Sequence, residues 1–156
     1  MHQVEKFDQG GNGVAYGDTD AGNNGLAFRT EEMVDIALTS GGYYIGWTAP
    51  GEFLRYTVDV QKSADAFDFD FLVAAPPGLD GSFRVVMGGT GCSDYATDLS
   101  GLVTVISTGS WHDFTTQSIL AGGSGGLAVG LNTLWLCIES SGFNIDSFTM
   151  YASSST

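Results

Sequence analysis

The sequence has 156 residues, 23 of them glycine, with 12% aromatic and only 15% charged side chains; this length suits one domain with a real core, and the composition is too aromatic for a disordered chain. Eighteen acids against five bases give a formal charge of −13, which repels a phosphate backbone and an anionic bilayer, so neither nucleic acid nor membrane is expected as a partner. Sulfated and uronic polymers are disfavoured for the same reason, and no run approaches the roughly 18 apolar residues of a membrane-spanning helix.

Met1-His2 leads straight into a strand-like segment without the apolar stretch of a signal peptide, so the expectation is a mature, excised domain. From Gly10 to Gly25 the chain is rich in Gly and Asn and poor in apolar residues, a loop too long for a hairpin turn and therefore functional or mobile. Asp18 and Asp20 are spaced like the first ligands of an EF-hand loop, but no Glu follows at the proper offset and no helical pattern flanks them, so an EF-hand is not expected. Aromatic residues then stand beside a glycine turn in Gly41-Gly-Tyr-Tyr-Ile-Gly-Trp47.

Strand patterns follow at Phe53–Val60, Ala66–Val73, Ser82–Met87 and Leu102–Ile106, with further candidates at Trp111–Ile119, Leu131–Glu139 and Phe143–Tyr151. Phe67, Phe69 and Phe71 alternate with Asp68 and Asp70, a strict period of two that puts three rings on a core face and two carboxylates in solvent. No segment keeps a 3.6-residue apolar period over three turns. The pattern predicts an all-β, single-domain β-sandwich, a jelly roll of about eight to ten strands, spanning residues 1–152. Residues 153–156 then read as the beginning of a Ser/Thr-rich linker or a disordered tail.

Cys92 and Cys137 lack metal-site or CxxC spacing, which leaves a disulfide or two separate thiols; a bridge would close a loop of about 44 residues and contribute about 3–4 kcal/mol. The only histidines are His2 and His112, neither in a nucleophile-elbow context, so triad hydrolysis has no support. Glycoside hydrolysis needs two carboxylates, and Glu31, Glu32, Glu52, Asp94 and Asp113 all fall in or near loops, where acids are mostly solvated.

The aromatics beside glycine turns are more informative: the 41–47 run with Tyr43, Tyr44 and Trp47, then Thr108-Gly-Ser-Trp111 and Ser140-Ser-Gly-Phe-Asn144. A sugar offers C–H bonds on its face and hydroxyls at its edge, so an aromatic plate takes the face and an amide takes the edge. The alternative is that Trp47, Trp111 and Trp135 are core fillers, and Trp135, in mid-strand, is left in that class, either packed or covering a sheet face. Trp111 directly follows Gly109-Ser110 and is the better candidate for exposure.

Taken together, several segments resemble the family 6 carbohydrate-binding modules attached to agarases, β-glucanases and xylanases: Gly13-Val-Ala-Tyr-Gly-Asp-Thr-Asp20, Gly22-Asn-Asn-Gly-Leu-Ala-Phe-Arg29, Val34-Asp-Ile36, Gly42-Tyr-Tyr-Ile-Gly-Trp-Thr-Ala-Pro-Gly-Glu-Phe-Leu-Arg-Tyr-Thr-Val58, Thr108-Gly-Ser-Trp111 and Gly142-Phe-Asn-Ile-Asp146. The resemblance runs almost end to end. It implies a jelly roll whose end loops clamp a sugar between two rings, here Trp47 and Trp111, with the Asn144 amide at the edge and Tyr43 and Tyr44 nearby. The chain departs from the pattern at Ala37, where the family often has an acid, at Ser110 in place of Gly, and at Tyr44 in place of Asn.

The resemblance also implies a structural calcium, held in the family by an N-terminal Glu-x-Glu pair that reads Gln3-Val-Glu5 here, with Asp146 as a further ligand. A non-catalytic, secreted module follows from it, one that captures a neutral β-linked polysaccharide or oligosaccharide, such as a β-1,3-glucan or agarose, and concentrates a covalently linked glycoside hydrolase or lyase upon it. The competing readings are a small glycosidase or lyase using Glu52 and Asp113 as acid and base, and an extracellular adhesion domain.

Overall fold

The protein is described here by a computed structural model covering residues 1–120, 123 and 125–153. Twelve strands lie in these residues: β1 (His2–Gln3), β2 (Tyr16–Gly17), β3 (Ile36–Thr39), β4 (Gly42–Ile45), β5 (Phe53–Val60), β6 (Phe67–Ala74), β7 (Ser82–Met87), β8 (Thr97–Asp98), β9 (Val103–Thr104), β10 (Thr115–Ile119), β11 (Gly130–Ser140) and β12 (Asn144–Ala152). One six-stranded sheet runs β10-β6-β12-β4-β3 with β1 also on β12, and the other runs β2-β5-β11-β7-β8 with β9 also on β7. Every pair of strands is antiparallel. This is the expected sandwich, with more strands than the alternation predicts, because two-residue strands are too short to show a period.

The strands at 53–60 and 82–87 match the predicted bounds, whereas only Val103–Thr104 of the 102–106 run is strand and the 111–119 run begins at Thr115. β3 and β4 carry no clear alternation in sequence and pair with each other as a hairpin, Ile36 opposite Ile45 and Thr39 opposite Gly42. Ser153 is also anchored: its amide donates to the Ala66 carbonyl at 3.0 Å and its hydroxyl to Asp68 at 2.7 Å. The rest of the predicted tail, residues 154–156, lies outside the described residues.

Both inner faces are apolar. Phe67, Phe69 and Phe71 are buried as their alternation requires, each contributing about 1.5–3 kcal/mol of burial. A chain of ring contacts crosses the sandwich, Phe148 to Phe71 at 6.3 Å, Phe71 to Phe83 at 4.8 Å and Phe83 to Phe143 at 5.3 Å. It ends at the loop that precedes β12. The partners of Phe67, Phe69 and Phe71 in the alternation are less solvated than expected: Asp68 and Asp70 are half-buried, and Ser118 donates to Asp70.

Cys92 and Cys137 form a disulfide with Cα atoms 5.7 Å apart. It holds the loop between β7 and β8 against the outer face of β11, beside Trp135, for which the structure decides between packing in the core and covering a sheet face. Leu134, Leu136 and Ile138 take the core side of β11, so Trp135 faces outward, half-buried, under the same loop. A side chain added at Gly91 would meet the indole nitrogen at 3.3 Å. Trp135 covers a sheet face rather than filling the core, because period-two alternation gives the inner side to its neighbours.

Candidate functional site

Three connections meet at one end of the sandwich. Trp47 follows β4 on the crossing to β5, Trp111 lies between β9 and β10, and Asn144 opens β12. Ile45 pairs with Ile145 across β4 and β12, which brings Gly46 against Asn144 so closely that a Cβ at Gly46 would fall 2.8 Å from the Asn144 Oδ1. The Trp111 turn is tied to the end of β6, where the Ala75 amide donates to the Thr108 hydroxyl at 3.0 Å and the Thr108 amide donates to the Ala75 carbonyl at 2.9 Å.

The turn itself is shaped by Gly109, at φ +102°, and by Ser110. The Ser110 hydroxyl accepts from the amides of His112 and Asp113, at 3.2 and 3.1 Å, and donates to the Asp113 carboxylate at 2.9 Å. Ser110 therefore organises the turn through local hydrogen bonds. Trp47 sits at φ +48°, a left-handed conformation that costs a bulky residue about 1–3 kcal/mol and concentrates at functional sites.

Both indoles are turned outward, Trp47 being 53% and Trp111 43% exposed, and they line one cleft of about 420 Å³. Its other walls are Tyr44, Thr48, Leu79, His112 and residues 141–144. The Asn144 side chain is buried and its Nδ2 donates to the Trp111 carbonyl at 2.7 Å, so this amide joins the two loops as well as standing in the cleft. The Thr48 hydroxyl donates to the Phe143 carbonyl at 3.4 Å. Trp47, Trp111, Asn144 and Tyr44 are thus brought together on one cleft.

The two tyrosines separate. Tyr44 is a buried wall of the cleft, edge-on to His112 at 5.9 Å and tilted against Phe114 at 5.5 Å, with its hydroxyl 3.3 Å from His112 Nε2. Burial pushes its phenol above the ordinary value, keeping it a neutral hydrogen-bonding group. Tyr43 points to the opposite side of β4, stacks on Phe28 at 5.0 Å and packs on the core; it takes no part in the cleft. His112, Leu79 and Thr48 are wall residues that spacing did not single out. Adjacency to Trp111 was a signal for His112, whereas Leu79 reaches the cleft from a loop whose sequence carries none.

Glu52 and Asp113 do not form a catalytic pair in this cleft. Glu52 accepts from the Thr19 amide and hydroxyl at 3.2 and 2.8 Å and from the Ala49 amide at 2.8 Å, and Asp113 is held within its own turn. Among the described residues no carboxylate lines the cleft. Glu52 lies instead beside Asp18 and Asp35, and carboxylate oxygens of Asp18, Asp20 and Asp35 fall within 4.8 Å of one another. Burial, chiefly, pushes the Asp18 carboxyl up to about 7, with Glu52 and Asp35 adding to the shift.

The residues implied as calcium ligands lie elsewhere, at the N-terminal edge. Glu5 follows β1 in a 3-10 turn and is 4% exposed, and its Oε2 is buried without a hydrogen-bond partner among the described residues. Burial raises the Glu5 carboxyl and the nearby Asp146 charge raises it further; burial also raises Asp146. Gln3 pairs with Ser147 across β1 and β12, next to Asp146. An orphaned carboxylate oxygen beside a second acid is costly unless a cation joins them, so this donor set fits a hard oxygen-seeking ion such as calcium.

No family model matches the sequence, and no curated protein matches it. Solved structures do. The chain is similar to the C-terminal family 6 carbohydrate-binding module of a marine laminarinase from Zobellia galactanivorans, with TM-score 0.65 and 18% identity over 96% of this chain and 95% of that one. It is also similar to a family 6 module from Clostridium stercorarium solved with cellobiose, with TM-score 0.67 and 21% identity over 97% and 92% of the two chains. A β-1,3-glucan-binding family 6 module from Bacillus halodurans gives TM-score 0.60 and 21% identity over 96% and 93%. The chain therefore has the fold of these modules.

Proposed function

We propose that this chain is a family 6 carbohydrate-binding module that binds a neutral β-linked polysaccharide, a β-1,3-glucan or agarose in the first instance, in the cleft between Trp47 and Trp111. The observation that carries this reading is the outward pair of indoles on one cleft, one of them held in a left-handed backbone. Exposed tryptophans contribute little to a core and suit the C–H face of a pyranose. Around them the cleft presents uncharged polar groups, which match hydroxyls better than an ionic ligand. The shared fold and the ligands named for its relatives support the same reading.

The module is non-catalytic in this proposal, and it serves an attached glycoside hydrolase or lyase by raising its effective concentration at the substrate. Secretion fits the Cys92–Cys137 disulfide. A structural calcium, held by the Glu5 and Asp146 carboxylates and the Gln3 amide oxygen, would neutralise the buried charge and tie the N-terminus to β12. Titration calorimetry of the purified domain against laminarin, agarose, xylan and cello-oligosaccharides tests the ligand class. Saturable binding to at least one of them, with no release of reducing sugar, is the expected result; turnover that disappears in Glu52→Gln would overturn it.

A further inference from the structure

Within the cleft, two polar wall groups are engaged by backbone carbonyls. Asn144 Nδ2 is committed to the Trp111 carbonyl and the Thr48 hydroxyl to the Phe143 carbonyl. His112 differs. Its side chain is exposed, it lines the cleft beside Trp111, and one ring nitrogen, Nε2, meets the buried Tyr44 hydroxyl at 3.3 Å. Nδ1 has no hydrogen-bond partner among the described residues. Tyr44 is in turn lodged edge-on to the imidazole and against Phe114, so its hydroxyl is a fixed anchor rather than a free rotor.

Resting on the carbohydrate-binding reading above, we propose that His112 is a specificity-determining residue of this cleft: Tyr44 orients the imidazole through Nε2, and Nδ1 hydrogen-bonds a hydroxyl at the edge of the sugar held by Trp111. A neutral imidazole has one donor nitrogen and one acceptor. If the Tyr44 hydroxyl donates to Nε2, Nδ1 carries the proton and donates to the ligand; if Nε2–H donates to Tyr44, Nδ1 accepts. A sugar hydroxyl satisfies either arrangement, while an analogue lacking that hydroxyl leaves the nitrogen without a partner. Stacking alone does not discriminate among pyranoses, since each offers a C–H face. The His112–Tyr44 pair supplies a directional contact, with Tyr44 as its positioning residue.

The test is titration calorimetry of wild type, His112→Ala, His112→Gln, Tyr44→Phe, His112→Ala/Tyr44→Phe and Trp111→Ala against laminarihexaose, neoagarohexaose, cellohexaose and xylohexaose, with thermal midpoints to verify folding. Wild type is expected to prefer one of the four. His112→Ala should weaken the preferred ligand about tenfold and the others much less, collapsing the ranking. The amide of Gln, which both donates and accepts, should recover most of the loss, and Tyr44→Phe should lose part of it without adding to His112→Ala in the double variant. An unchanged ranking in His112→Ala, or a Gln variant no better than Ala, overturns the specificity role while leaving the carbohydrate reading intact. Absence of binding to all four ligands by wild type would remove that reading, and the proposal with it.

Discussion

The cleft and the N-terminal carboxylate pair sit on the same sandwich and are built on opposite principles. At the cleft, large rings are exposed while the polar groups behind them are hydrogen-bonded to one another. Beside β1, a carboxylate is buried and one of its oxygens has no partner. Exposed rings over a satisfied backbone suit a ligand that arrives and leaves without disturbing the fold, because little stability depends on them. An unsatisfied buried carboxylate suits a resident cation, because the fold carries a cost for as long as nothing joins that oxygen. Binding energy and folding energy are therefore expected to separate between the two regions, and perturbing each in turn measures how completely they do.

The largest effect is expected at the plates. Trp111→Ala should lower glycan affinity about tenfold to a hundredfold, as expected for a loss of roughly 1–3 kcal/mol of stacking, while the thermal midpoint moves by no more than about 2 °C. Calorimetric titration and a melting curve on the same sample settle it. A variant that unfolds, or that retains full affinity, would erase the distinction between the regions.

Next comes the ion. Exhaustive chelation should lower the midpoint by about 5–10 °C, as expected for an ion at roughly a hundredfold its dissociation constant, with glycan affinity unchanged within about twofold. In Glu5→Gln the chelator should have no further effect, since the carboxylate proposed to hold the ion is gone. Differential scanning calorimetry with and without added calcium reads both. Metal-free protein whose midpoint ignores calcium would remove the ion from the account.

Gly46→Ala sharpens the comparison from the cleft side, because its Cβ would crowd both the Asn144 Oδ1 at 2.8 Å and the Tyr44 ring at 3.0 Å. Displacing Asn144 loosens the bond to the Trp111 carbonyl, so affinity should fall about threefold to tenfold and the midpoint by about 2–4 °C. This position is where the two kinds of energy are expected to mix.

The smallest effect is a pH dependence from a second acidic site. Asp18, ordinarily at 3.8, is raised to about 7 in the folded protein, so folding favours its protonated form. The sign follows directly: its contribution is complete below the ordinary carboxylate range and is lost as pH rises through about 7. Melting curves of metal-free protein between pH 4 and 8 should show a wild-type decline over that span which is smaller in Asp18→Asn, by about a degree or two given partial solvent screening. Identical slopes in the two proteins would show that Asp18 does not report on folding.

Much of the frame was legible in the residues themselves. A strand's side chains alternate by covalent geometry, so Phe67, Phe69 and Phe71 could be assigned to one face without knowing what covers it, and glycine turns marked where Trp47 and Trp111 would be left exposed. Alternation also separates neighbours such as Tyr43 and Tyr44, but it cannot say which of them meets the core; the second sheet and the loop bearing His112 and Phe114 decide that. Trp135 stayed open between packing and covering a sheet face for the same reason, since an apolar residue in mid-strand is compatible with either face. The convergence of Glu5 with Asp146, of Cys92 with Cys137 and of Tyr44 with His112 belongs to tertiary structure alone. Each joins residues distant in sequence, and whether a charge is buried or a thiol bridged depends on antiparallel strands carrying those distant segments side by side, which no local periodicity encodes.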